Sequence, residues 1–139
     1  MKRLRYLPLL AMAALVTVAA VLPSLTLADL RMALPWFSAL INRVEALHPS
    51  LDGTHMLMFL FVGAAMVLAL PRRPWLPRAG WAMAGVLVAA LASELVQFWV
   101  PGRTPLVSDV RDDLLGGSVG VLLGAFLAGA WGRWRTPRA

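Results

Sequence analysis

Glu94 and Gln97 stand three residues apart inside an otherwise apolar run, and Arg103 follows six residues later. Three apart on a helix puts the carboxylate and the carboxamide on one face. Asp52 and His55 share that spacing at the head of another apolar run, and Asp109 and Asp113 lie one helical turn apart before a third. Carboxylates and an imidazole are groups that exchange protons in catalysis, and an arginine beside them offers a fork of donors to a carboxylate or phosphate. In such chemistry Glu94 is the candidate general base, His55 the candidate acid or base, and Arg103 the group that would stabilise developing negative charge. The candidate ligand-binding set is Asp52, His55, Glu94, Gln97, Arg103, Asp109 and Asp113. His55, Glu94, Asp109 and Asp113 would ligate a divalent metal only if three of them met at bonding distance. The spacing alone assigns no metal and leaves any cofactor open. There is no H-E-x-x-H, nucleophile elbow or phosphate-binding glycine loop.

The elements that must position these groups follow from composition. The 139 residues are 60% hydrophobic and 14% charged, with no Cys, whereas an average soluble protein is about 25% charged. A soluble globular protein is disfavoured, and disulfides, iron–sulfur clusters and thiolate zinc sites are excluded. Apolar runs extend from Leu4 to Leu27, His55 to Leu70, Trp81 to Val100 and Leu114 to Trp131. A spanning helix needs about 20 mostly apolar residues, so the second run must recruit Asp52, Gly53 and Thr54. The runs are rich in Ala, Leu and Gly without alternation, which argues against strands. The expectation is an all-α polytopic membrane protein, one domain over 1–139, with four transmembrane helices at about 4–27, 52–70, 81–100 and 112–131. The first run also resembles a signal peptide, with Thr26 and Ala28 placed for cleavage. Its uncharged stretch from Tyr6 to Ala28 exceeds the usual signal core of about 7 to 15 residues, so retention is expected. Leu34, Phe37, Ile41 and Val44 are spaced by three and four behind Pro35, which predicts a short amphipathic helix over about 35–47 on the outer membrane surface.

Charge gives the orientation. Lys2, Arg3, Arg5, Arg72, Arg73, Arg78, Arg133, Arg135 and Arg138 fall on one side with no acidic residue. The other side receives Arg31, Arg43, Arg103 and Arg111 with every Asp and Glu of the chain. Lys and Arg accumulate in short cytoplasmic loops, so both termini are expected inside. The net charge of +6 is then a topology signal whose natural partner is anionic lipid. The basic residues form no contiguous face, so no nucleic-acid partner is expected.

The acids divide into two kinds. Those at helix starts suit the macrodipole: Asp52 is placed to cap the second membrane helix, and Ser108 or Asp109 the fourth. Glu94 lies in the second half of an outward-running helix, where the dipole opposes a carboxylate. Six residues before Val100, it should sit about 9 Å inside the outer helix end, where it must face the bundle and needs a partner or a proton. Arg103 is the nearest cation in sequence for Glu94, Asp109 or Asp113. His55, Glu94, Gln97, Arg103, Asp109 and Asp113 thus converge on an outward-facing polar cleft, more polar groups at one depth than helix packing requires. Gly116, Gly120 and Gly124 line one side of the last helix as a close-packing groove, open either to a helix of the same chain or to a second copy in a homo-oligomer.

These residues, in this order, resemble the VanZ-like family of small four-helix membrane proteins, named for a bacterial teicoplanin-resistance factor. The likeness runs from Asp52 to Gly124. It begins with D-x-x-H-x-x-x-[FY], here Asp52, His55 and Phe59, and continues with E-x-x-Q and a following arginine, here Glu94, Gln97 and Arg103. It closes on D-x-x-x-N-x-x-G-x-x-x-G, here Asp109, Asp113, Gly116 and Gly120. The family often has Lys where this chain has Gly53, and Asn where it has Asp113, which adds a titratable group. The resemblance implies a bacterial inner-membrane protein linked to the cell envelope or to glycopeptide susceptibility, without a settled biochemical activity.

Three readings follow. The first is a non-catalytic envelope factor whose cleft binds an envelope lipid or precursor, or a membrane protein partner, with Arg103 on an anionic group and Gln97 and His55 giving directional hydrogen bonds. The second is an intramembrane hydrolase or transferase acting on an outer-leaflet, lipid-linked substrate. A small transporter is disfavoured, because the cytoplasmic halves of the helices carry almost no polar groups beyond Thr17.

Overall fold

The computed structural model describes residues 6, 7, 10, 11, 14, 29, 31–70 and 74–135, with side chains followed to residue 129. The expected first membrane helix, about 4–27, lies outside the described residues apart from isolated positions. Every regular element among the described residues is a helix: α1 (Pro35–Glu45), α2 (Gly53–Ala69), α3 (Trp75–Gln97) and α4 (Val107–Arg135).

Helix α1 starts with Pro35 in its first turn, where a missing N–H costs nothing. It ends at Glu45, two residues short of the expected Leu47, and the chain closes with a tight turn in which Leu47 N–H donates to Val44 C=O. The stripe of Leu34, Phe37, Ile41 and Val44 is the covered side, and Ile41 is fully buried. Trp36 and Leu40 remain exposed. Arg31 braces the helix by donating to Asn42 and Glu45, both at 3.1 Å.

Helix α2 begins where Asp52 turns its carboxylate onto the N–H groups of Thr54 and His55, at 2.8 and 3.1 Å. Two of the unpaired donors of a helix start are thereby satisfied. The opposite end is closed from α3. Arg78 donates through Nε and a terminal nitrogen to the carbonyl oxygen of Val67, at 2.9 and 2.5 Å. Sequence reading puts Arg78 in the preceding loop; the helix instead starts at Trp75, behind Pro74, and the arginine in its first turn finds a partner one helix away.

Helix α4 starts at Val107, earlier than the expected 112. Ser108 and Asp109 therefore lie within its first turn and not at the cap position, and Ser108 Oγ donates to Asp109. The glycines of α4 meet α2. A Cβ at Gly116 would fall on the carbonyl oxygen of Met56, one at Gly120 on that of Leu60, and one at Gly124 would come within 3.0 Å of Ala64 Cα. Both sets advance by four residues in the same sense, so α2 and α4 run parallel with their backbones in contact, as small residues in a membrane interface permit. Gly63 repeats the device from the other side, against the backbone of Gly117. The groove is thus filled within the chain and not by a second copy.

Helix α3 runs antiparallel to this pair and covers it through Val86 and Ala90, which pack with Phe59 and Val62, and through Ala82, which packs with Val67 and Val121. Among the described residues two helices, α3 and the Val107–Gly129 part of α4, are long and apolar enough to cross a membrane. Only 28% and 39% of their apolar windows are buried, whereas the core helix of a soluble protein would be mostly covered. Leu87, Val88, Leu91 and Leu95 of α3 and Leu122, Leu123, Phe126 and Leu127 of α4 point outward. Helix α2, at 17 residues, is apolar but shorter.

Candidate functional site

The antiparallel placing of α3 brings three helix ends together: the start of α2 with His55, the end of α3 with Glu94 and Gln97, and the start of α4 with Asp109 and Asp113. His55 is the centre. Its Nδ1 lies 2.9 Å from Asp113 Oδ1, and its Nε2 faces Asp109 Oδ2 at 3.7 Å. The imidazole is therefore held between two acids of one helix, spaced one turn apart so that both face it.

Glu94 approaches from α3. Helix α3 ends at Gln97 and not at Val100, so Glu94 lies in the last turn, closer to the helix end than its sequence position suggests. One carboxylate oxygen, Oε2, accepts from the backbone N–H of Leu106 at 2.9 Å, tying the loop before α4 to the end of α3. Its other oxygen, Oε1, is buried without a hydrogen-bond partner, and so is Oδ2 of Asp113. His55, Glu94 and Asp113 are all buried and offer ligand atoms within 4.8 Å of one another. Arg103 sits half-buried in the loop, near enough for its charge to act on Glu94, as does that of Asp109. Gln97 is buried at the end of α3.

Asp52 belongs to the scaffold of this site. Its side chain caps α2, and its own N–H donates to Asp112 Oδ2 at 2.7 Å. Asp112, 1% exposed, also accepts from Arg111 at 2.8 Å, and Arg111 reaches the carbonyl of Ser50 at 2.6 Å. The adjacent acids of α4 thus divide the work. Asp113 turns to the imidazole, and Asp112 ties the start of α2 to α4. Sequence reasoning missed Asp112 and Arg111 as site-building residues. The only available signal was the doubled acid itself, since neighbours on a helix lie about 100° apart and cannot both face His55.

The polar groups face one another inside the bundle, with Asp109 and Arg103 the more accessible members, so the expected cleft is at its base a buried cluster. A network that only fixed packing would satisfy its members. This one leaves two buried acceptor oxygens, one on Glu94 and one on Asp113, without a partner.

No curated protein and no solved structure matches the chain. The family model VanZ/LLP1 does, over residues 8–128. That span contains every residue of the cluster, the loop carrying Arg103, and the glycine seam between α2 and α4. The chain belongs to the VanZ/LLP1 family.

Proposed function

We propose that this chain is a four-span protein of the bacterial cytoplasmic membrane, with both termini inside, whose polar helix-end site holds the headgroup of an envelope lipid or lipid-linked precursor. Family membership, two apolar helices with uncovered outer faces, and the basic residues gathered on the opposite side support the membrane setting. The observation that carries the recognition reading is the pair of buried, unpartnered oxygens on Glu94 and Asp113. In a low-dielectric interior such groups are costly unless something completes them. His55, held by Asp113 and faced by Asp109, is a fixed part of the site's floor, whereas the half-buried Arg103 suits an anionic portion of a ligand at the mouth. An effect on glycopeptide or teicoplanin susceptibility would follow from sequestering or presenting such a lipid.

Native mass spectrometry of the detergent-purified protein beside Glu94→Gln and Arg103→Ala tests this reading. A phospholipid or envelope precursor retained by the wild type and lost from both variants supports it. Three folded proteins that carry nothing overturn it.

One observation favours a second reading, an intramembrane hydrolase or transferase. His55 is fixed by Asp113 as a catalytic imidazole is fixed by its orienting carboxylate, with the open Oε1 of Glu94 nearby as candidate base. A Glu94→Gln protein that retains its lipid yet loses its effect on envelope composition would favour chemistry over binding.

A further inference from the structure

The two residues with open oxygens belong to a set with a definite donor chemistry. His55, Glu94 and Asp113 come from three helices, all are buried, and one ligand atom from each lies within 4.8 Å of the others. Around a divalent ion with bonds of about 2.1 Å, ligand atoms stand about 3.4 Å apart in a tetrahedron and about 4.2 Å apart across an octahedron. The three residues already stand within 4.8 Å of one another, and an ion would draw their ligand atoms closer together. Glu94 is 8% exposed and Asp113 is fully buried, and the open oxygens, Oε1 and Oδ2, are the ones no protein group uses.

Charge points the same way. Asp112 is matched by Arg111, and Asp52 is spent on the start of α2. Glu94, Asp109 and Asp113 remain, against His55 and Arg103 as the cations in reach. Burial disfavours leaving this excess of carboxylates charged and unmatched, so the cluster takes up either protons or a cation.

We infer that His55, Glu94 and Asp113 form a binding site for one divalent first-row metal ion, Mn2+ or Zn2+ by the mix of one imidazole with carboxylates. Asp109 faces the ring nitrogen on the far side of the imidazole, at 3.7 Å. From there a carboxylate orients a metal-bound histidine through its other N–H. Three protein ligands leave coordination positions for an oxygen donor, which lets a site built from acids accept a phosphate oxygen that bare carboxylates would repel.

The inference concerns the same cluster as the recognition reading but does not depend on it, because its readout is the metal alone. Detergent-purified protein is stripped with chelator and titrated with MnCl2, following free Mn2+ by electron paramagnetic resonance, with ZnCl2 as competitor and thermal melting as a second readout. The expected result is one Mn2+ per chain, displaced by Zn2+, with a raised melting temperature. Glu94→Gln, which can still accept from Leu106 N–H, should weaken binding at least about tenfold with helical content unchanged. Asp113→Asn should do the same, and Glu45→Gln, whose carboxylate pairs with Arg31 away from the cluster, should leave binding intact. A folded wild type that takes up neither Mn2+ nor Zn2+ overturns the inference, as does undiminished binding in Glu94→Gln. If Asp113→Asn fails to fold, the Glu94 variant alone decides. A protein that retains lipid but binds no metal loses this inference and keeps the recognition reading, and one that binds metal but no lipid does the reverse.

Discussion

His55 owes its place to acids that differ in what their loss would expose. Asp113 is fully buried and bonded to the imidazole, so removing it leaves a buried polar ring with only the more distant Asp109 to face. Asp113→Ala should destabilise the protein by about 3–5 kcal/mol, the usual cost of breaking a buried pair from one side, in detergent unfolding followed by circular dichroism. Asp52→Ala removes a helix cap and should cost about 1 kcal/mol in the same assay. Asp112→Ala strands the N–H of Asp52 and should cost about 1–3 kcal/mol. The sequence made all of these acids visible but could not rank them. That Asp52 caps α2 was legible, because a helix start favours a short acid. That Asp112 and Asp113 part company was not, since it depends on where α2 stands around α4. Glu94 was legible as the acid the helix dipole does not explain. Its bond to the Leu106 backbone depends on the course of a nine-residue loop from Phe98 to Leu106, and no pattern encodes that.

Among the elements, the seam between α2 and α4 depends on the absence of side chains. Gly120→Val would drive a branched side chain into the Leu60 carbonyl. It should lower stability by about 1–3 kcal/mol or more, as overpacking does, seen as a fall in melting temperature. Gly80→Ala in α3 meets nothing within 4 Å and should be neutral or stabilising by up to about 1 kcal/mol. The four-residue glycine spacing was readable, and its partner was not, because a small-residue groove fits any helix that offers a matching ridge. The start of α3 was misplaced for a related reason. Charge at Arg78 looks like loop to a hydropathy reading, yet a long side chain can carry its guanidinium back to the end of a neighbouring helix, here to Val67.

For the whole molecule, α2 and α4 run one way and α3 the other, so the acids gather at one end and Arg78 marks the other. The absence of Cys makes the topology directly measurable. Ser50→Cys and Thr104→Cys should react with a membrane-impermeant maleimide on intact spheroplasts, and Arg73→Cys and Arg138→Cys only after permeabilisation. The reverse pattern would invert the proposed orientation. The helical class and the polar end of the bundle were legible because periodicity and charge are local properties of the chain. How α1 meets the bundle was not, and there Ile41 lies against Gly53, where even a methyl group would come within 2.8 Å of the Ile41 carbonyl oxygen. Two residues beyond Gly53 is His55. The contact therefore seats α1 directly on the first turn of α2, the turn that carries the imidazole. Gly53→Lys should force α1 off that seat and speed hydrogen exchange in the first turn of α2, which would show that the surface helix holds in place the turn leading to the buried acids.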